Sequence, residues 1–319
     1  MPKKILSVID LFAGTGSFSL AFKQTKKCKI VMANDYCKNS KKIYDANFDH
    51  KMIFEDLNKL DINDIPDHDI LTGGFPCQPF SIAGQQKGFD DNRSNVFWKI
   101  LKIIQAKSPR VVILENVKNL TSHDKGQTFK TIIENLEKKK YIIKHKVLNT
   151  SDYTNIPQNR ERIYIVCFRE KNDALKFNFN MPKIKKKPIT SFLENQIDEK
   201  YYYTDKSKIY DALKKDITKN IKDGVIYQYR RYYVRENKSG NVPTLTANMG
   251  TGGHNVPILL DDVGIRKLTP RECFNLQGLP QSYKVPDDMS NCALYKLAGN
   301  AVSYTLVKKL ANKIVELIY

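Results

Sequence analysis

The 319-residue sequence has no apolar run long enough to span a bilayer, no internal repeat and no low-complexity tract. Its six cysteines, Cys28, Cys37, Cys77, Cys167, Cys273 and Cys292, form no CxxC pair, and its five histidines are scattered. That excludes a disulfide-stapled scaffold and a structural zinc site, so no metal is expected and most of the cysteines read as small buried hydrophobes. Acidic residues are few beside basic ones, 34 against 53, a formal charge of +19. Two causes fit that excess: a polyanionic partner, or a codon usage that favours lysine. The N-terminal apolar run is too short for a signal peptide, which points to a cytoplasmic protein without a membrane partner. A chain of this length with 41% apolar and 27% charged residues is an ordinary globular one, long enough for two domains.

In the first half, strand-type runs alternate with helix-type ones. Strands are expected at 4–9, 29–35, 68–72, 110–117, 142–148 and 162–168, with helices after the first glycine turn and over 95–107 and 126–140. The alternation predicts an α/β fold, a mostly parallel sheet with helices on both faces and binding loops at the carboxyl ends of its strands. A proline-flanked basic run at 181–190 marks a boundary, and tyrosines then interleave with basic residues, as in YQYRRYYVR at 227–235. That pattern suits phosphate contact with stacking, and equally a half-buried strand. At the C-terminus, residues 301–319 read as a helix with Val302, Leu306, Leu310, Ile314 and Leu317 on one stripe. That stripe needs the sheet as partner, so the chain returns to its first domain. The expected division is 1–180 with 288–319 for the large domain and 181–287 for a smaller inserted one.

Two loops carry chemistry. Asp10 to Gly16 follows the first strand; Gly14 and Gly16 permit a tight turn and close approach, and the next helix N-terminus favours a negatively charged ligand group. The spacing is not the GxGxxG of dinucleotide enzymes, since residue 19 is Ser. Asp35, ending the second strand, is placed for ribose hydroxyls, Tyr36 for stacking on adenine and Asp56 for an exocyclic amine. Turn chemistry alone also explains both aspartates. The second loop, GGFPCQPFS at 73–81, lets Gly73 and Gly74 turn the chain while Pro76 and Pro79 stiffen it around Cys77. A cysteine so held is a nucleophile candidate, or a small loop residue.

Six stretches then occur in one order: DLFAGTGSFSLAF at 10–22, GGFPCQPFS at 73–81, ENV at 115–117, QNRERIYIV at 158–166, RKLTPRECFNLQGLP at 266–280 and GNAVSYTLV at 299–307. In them the chain closely resembles the DNA (cytosine-5)-methyltransferase family of bacterial restriction-modification systems. The resemblance implies a Rossmann-like methyltransferase sheet with a smaller inserted target-recognition domain, and methyl transfer from S-adenosylmethionine, leaving S-adenosylhomocysteine. Its catalytic residues map to Cys77, Glu115, Arg160 and Arg162. The implied cofactor set is Phe12, Gly14, Gly16, Phe18, Asp35, Tyr36, Asp56, Leu57, Pro76, Val96, Asn300 and Val302. Relatives often have Glu where Asp35 stands, and either carboxylate reaches a ribose.

The residue types suit that chemistry. A thiolate adding to C6 of cytosine breaks the ring's aromaticity and makes C5 nucleophilic. Glu115 would hold the N3 and N4 edge, Arg162 the O2 side, and Arg160 a phosphate or the closed loop. C5 is inaccessible within a duplex, so the base must flip out. Residues 84–98 read as a lid or as a solvated loop, with Ser81 and Arg93 contacting the DNA backbone. Within 181–265, Arg230, Arg231, Arg235, Lys238, Thr244 and Asn248 are the candidate DNA contacts, Arg230 and Arg231 for guanine or for phosphate alone. Double-stranded DNA is the expected partner, a cognate restriction endonuclease the functional one, and a monomer the acting form. The tetrapeptide of adenine-N6 and cytosine-N4 methyltransferases is absent. So is the Cys-Phe-Thr of the branch that modifies transfer RNA: the Cys-Phe pairs here continue with Arg169 and Asn275.

Overall fold

The computed structural model describes residues 5–76, 96–230, 232–251 and 255–319. In chain order the elements begin with β1 (Leu6–Leu11), α1 (Ser17–Lys23), β2 (Cys28–Asp35), α2 (Lys38–Asp45), β3 (Ile53–Phe54), β4 (Ile70–Gly74), α3 (Val96–Lys107), β5 (Val111–Val117) and α4 (Gln127–Lys138). Next come β6 (Ile142–Asn149), α5 (Thr150–Tyr153), β7 (Glu161–Phe168), α6 (Lys171–Lys176) and α7 (Tyr210–Asp216). The chain closes with β8 (Ile226–Arg230), β9 (Tyr233–Asn237), β10 (Ile258–Leu260), β11 (Ile265–Lys267), α8 (Pro270–Leu276), α9 (Asn291–Asn300) and α10 (Tyr304–Ile318). It forms two compact units, one of residues 1–148, 161–181 and 307–319, the other of 149–160 and 182–306. Among the described residues no helix is long and apolar enough to cross a membrane.

The first unit is built on a seven-stranded sheet ordered β3-β2-β1-β4-β5-β7-β6. The pairs β1–β2, β2–β3, β1–β4 and β4–β5 are parallel, and β7 runs antiparallel to β5. Val111 to Leu114 are buried without alternation, as expected for a strand covered on both faces. Ile9, Leu11, Leu71, Val112, Leu114, Ile163 and Ile165 form one core with Phe97, Ile100, Ile103 and Ile104 of α3 and Ile132 and Leu136 of α4. Ala13, Ala33, Tyr44, Phe48 and Met52 form a second cluster. From β1 the chain runs outward to β2 and β3, then returns to β4 on the other side of β1. Ligands bind at such a switch point, and it lies between the ends of β1 and β4.

The C-terminal helix starts at Tyr304, so Ala301, Val302 and Ser303 precede it. Its buried stripe is Leu306, Val307, Leu310, Ala311, Ile314, Val315 and Ile318, and Leu317 is only half-buried. Leu306, Leu310 and Ile314 of the expected stripe are thus on the packed face; Val302 precedes the helix, and Val315 and Ile318 are buried where Leu317 was expected. Its end is held by Arg110, which donates to the Ile318 carbonyl at 2.9 Å and forks onto Asp173 at 2.7 and 3.0 Å. A guanidinium there also complements the helix dipole.

The second unit holds a four-stranded antiparallel sheet, β11-β10-β8-β9. Its core gathers Leu213, Ile217, Val225, Tyr227, Ile258 and Ile265. Arg266, 1% exposed, bonds both oxygens of fully buried Glu272 at 2.9 Å and Asp261 at 2.6 Å. Glu272 also closes a capping box with Thr269 at the start of α8, where Pro270 stands in the first turn. The stretch 266–280 is therefore a joint between sheet and helix.

Candidate active site

The turn after β1 is held by the carboxylates around it. Gly14 and Gly16 have φ of 54° and 74°, and Phe12, also left-handed at 53°, is a strained exception for a bulky residue. A Cβ on Gly16 would lie 2.4 Å from Cε2 of Phe48, whereas one on Gly14 would meet nothing nearer than the Phe12 carbonyl at 3.7 Å. Gly16 is thus needed for packing and Gly14 for its backbone angle and the open space above it. Asp35 accepts from the Gly14 N–H at 3.0 Å and from the Cys37 N–H at 2.8 Å, and burial raises its pKa. Tyr36 beside it is 68% exposed, and Asp56, half-buried, accepts from the Asn58 N–H at 2.9 Å. A bent backbone with open space, a carboxylate and an exposed ring side by side fit a nucleoside with a ribose. Phe18 and Leu57, 3% and 2% exposed, lie in the core, so their side chains offer a ligand little surface.

The helix following this turn differs from expectation. Asp10, 1% exposed, occupies the N-terminal region of α1 from below: its Oδ2 accepts from the Ser19 N–H at 3.0 Å and the Ser19 hydroxyl at 2.6 Å. Oδ1 accepts from Thr72 of β4 at 2.9 Å. The anion served by this helix is therefore a residue of the chain itself, and sequence reasoning missed it because Asp10 counted only as the start of the turn. Burial, opposed by these bonds, raises its pKa to about 6. The network continues as Tyr44 donates to the Ser19 hydroxyl at 2.8 Å and meets His50 Nε2 at 2.8 Å.

At the neighbouring strand ends, Glu115 of β5 stands beside Gly74 of β4 in parallel register. Glu115 is 7% exposed, and its Oε1 lies 3.2 Å from Nε of Arg162 on β7. The antiparallel β5–β7 pairing, with Glu115 opposite Tyr164 and Val117 opposite Arg162, makes that contact. Asn116 donates to the Phe75 carbonyl at 2.9 Å, tying β5 to the segment entering Pro76, which is exposed. Asn116 was not anticipated; its place in ENV was the available signal. Gly73 and Gly74 belong to β4 and have no positive φ, a correction to their reading as the turn. Cys77, Ser81 and Arg93 lie outside the described residues, as does most of 84–98. Val96 opens α3, half-buried.

Arg160 is placed otherwise than expected. It is 2% exposed and donates to the carbonyls of Leu245 at 2.8 Å, Gly299 at 3.2 Å and Ala301 at 2.7 Å. Such a guanidinium braces backbone rather than gripping phosphate, the first of the two roles expected of it. Fully buried Gln158 donates to the Leu276 carbonyl at 2.8 Å and accepts from the Leu245 N–H at 3.2 Å. Gln277 donates to Ala298 at 2.7 Å. A Cβ on Gly299 would sit 2.1 Å from the Thr246 carbonyl carbon, so that glycine lets α9 meet the 246–247 peptide. These contacts fix Asn300, exposed at the end of α9, and half-buried Val302.

Of the candidate DNA contacts, Arg230, Arg235, Lys238 and Asn248 are exposed. Lys238 lies 3.6 Å from Glu236, and Thr244 donates its hydroxyl to the Asn159 carbonyl at 2.5 Å. That bond turns Thr244 toward its own chain. Arg231 lies outside the described residues.

Comparison with known proteins agrees with this geometry. Residues 6–316 match the family described as C-5 cytosine-specific DNA methylase. The chain is 49% identical over 318 residues to the Type II methyltransferase M.Bsp6I of Bacillus sp. (strain RFL6), covering 97% of this chain and 98% of the relative. It is 40% identical to the Type II methyltransferase M.HaeII of Haemophilus aegyptius, over 98% and 93% of the two chains. Among solved structures, the Entamoeba histolytica methyltransferase EhMeth superposes with a TM-score of 0.75 at 20% identity, covering 98% of this chain and 99% of that one, and so shares the fold. With matches of this extent and strength, the chain belongs to the C-5 cytosine-specific DNA methylases.

Proposed function

We propose that this enzyme methylates a flipped-out cytosine through a covalent bond between Cys77 and C6, with Glu115 and Arg162 as the groups that hold the base. The protein is a site-specific DNA (cytosine-5)-methyltransferase. S-adenosylmethionine, when bound, supplies an electrophilic methyl group to carbon 5. The observation that carries the residue assignment is the Glu115–Arg162 pair at the end of β5, in register with the end of β4, three residues before Cys77.

The Cys77 thiolate adds to C6 and the ring's electron density moves toward C5. Glu115, carrying a proton, donates it toward N3 as charge develops there and accepts from the N4 amine, which selects cytosine. Arg162 orients Glu115 and presents its other edge to O2. Water takes the C5 proton, the thiolate is expelled, and N3 returns its proton to Glu115. Arg160, Gln158 and Gln277 act as positioning residues for the 242–247 and 298–302 segments. Asp35, Tyr36 and Asp56 hold the cofactor's nucleoside, and Asn300 its carboxylate. Residues 181–287 supply target recognition. The enzyme works as a monomer on duplex DNA in the bacterial cytoplasm and protects it from a cognate endonuclease, a reading supported by the Type II relatives.

The test is a duplex carrying 5-fluorocytosine at the target, whose C5 fluorine blocks release of the cysteine. Wild-type protein with S-adenosylmethionine should form a denaturation-resistant adduct, and Cys77→Ser none. An adduct or retained turnover in that variant would overturn the covalent assignment.

A further inference from the structure

We infer that one face of the β8–β9 ribbon reads the target sequence from the major groove, with Arg230 and Arg235 on guanines and Gln228 on an adenine or an amide-compatible neighbour. The inference rests on the DNA methyl-transfer reading above and assigns the base-reading side chains within it.

The strand register separates the two faces. Strand β8 pairs with β10 only at Tyr227, so Gln228 to Arg230 pair with β9 alone. Directly opposed residues share a face, and successive residues alternate. Tyr229 opposes Val234, and both pack on the unit's core. Gln228 opposite Arg235 and Arg230 opposite Tyr233 therefore point the other way. Arg230 and Arg235 are exposed, Gln228 is half-buried, and Arg230 Nη2 reaches Gln228 Oε1 at 3.4 Å. Among the described residues neither guanidinium is paired with a carboxylate. Glu236 opposes Tyr227, on the core-side face, and is taken by Lys219 at 2.8 Å and Lys238 at 3.6 Å. The outward face thus carries no negative charge between 228 and 235.

The occupant follows from charge and shape. Two exposed arginines on a +19 chain suit a polyanion, and a two-stranded ribbon fits the major groove. A surface that only gripped phosphate would gain little from Gln228. An amide between two guanidiniums, about 5 Å from its cross-strand neighbour, instead matches the bidentate readers of adenine and guanine edges. Tyr233, 58% exposed on the same face, and Tyr232, 92% exposed at the turn, are large rings that a free surface seldom leaves bare together.

The test is methylation of a randomised duplex library, sequenced at base resolution, by wild type, Arg235→Ala and Gln228→Ala, with DNA binding measured across salt concentrations. Arg235→Ala should relax the site at one guanine, the preference there falling about 10- to 100-fold, while the salt slope stays that of wild type. Gln228→Ala should relax a different position. A loss spread evenly over all sequences with a shallower salt slope would show phosphate grip and overturn the inference, as would an unchanged site in both variants. No 5-methylcytosine with wild-type protein would instead remove the methyl-transfer reading, and this inference with it.

Discussion

Arg160→Ala should cost this protein stability before it costs chemistry. The guanidinium donates three hydrogen bonds to backbone carbonyls from segments 85, 139 and 141 residues away, at 2.8, 3.2 and 2.7 Å, and is 2% exposed. Hydrogen bonds from a charged group contribute about 1.5–3 kcal/mol each, and the variant leaves buried carbonyls and a void behind. With partial relaxation, a loss of about 4–5 kcal/mol is expected. In urea that corresponds to a midpoint lower by about 2 M. Arg160→Lys, which keeps the charge but lacks the planar fork, should fall between the two. Unfolding midpoints followed by circular dichroism, beside methyl-transfer rates at a temperature where all three proteins are folded, separate the possibilities. An unchanged midpoint with abolished transfer would refute the bracing role and return Arg160 to the substrate.

Asp10→Asn should change how stability responds to pH. Folding raises this carboxyl from 3.8 to about 6, so the folded state binds the proton more tightly, and the group's contribution to stability declines as pH rises from about 4 through 6. The stability of wild type relative to Asp10→Asn should therefore fall across that window by up to about 3 kcal/mol, and a pH-independent difference in denaturant titrations would contradict it. Gly299→Ala puts a methyl 2.1 to 2.4 Å from backbone atoms of Thr246 and Ala247. It should lower stability by about 3 kcal/mol, read as a depressed melting temperature; a wild-type melting temperature would mean that α9 can shift freely. Glu115→Gln should slow methyl transfer about 100- to 1000-fold with cofactor binding retained by calorimetry, and an undiminished rate would remove its role.

The alternation of strands and helices, the place of the glycine turn and the six ordered motifs were legible because each depends on neighbours in sequence. Apolar runs announced β1, β2, β4 and β5, and Gly14 and Gly16 announced positive φ. Long-range partners were not legible. Nothing near Arg160 indicates that carbonyls beyond residue 240 will surround it, and Asp10 gave no sign that Ser19 and Thr72 would share its carboxylate. Gly73 and Gly74 looked like a turn because glycine usually makes one, yet strand pairing with Leu114 and Glu115 keeps them extended. The C-terminal helix was drawn three residues too early because Ala301 and Val302 fit a helical pattern; Arg160 holds the Ala301 carbonyl instead.

The most direct test of the account is to incubate the purified protein with S-adenosylmethionine and unmethylated duplex DNA, then analyse the nucleosides by mass spectrometry with strand-resolved mapping. The account predicts 5-methylcytosine confined to one short sequence context, and none with Cys77→Ser. Methylation on the adenine or the cytosine amino group, or 5-methylcytosine undiminished in that variant, would contradict it.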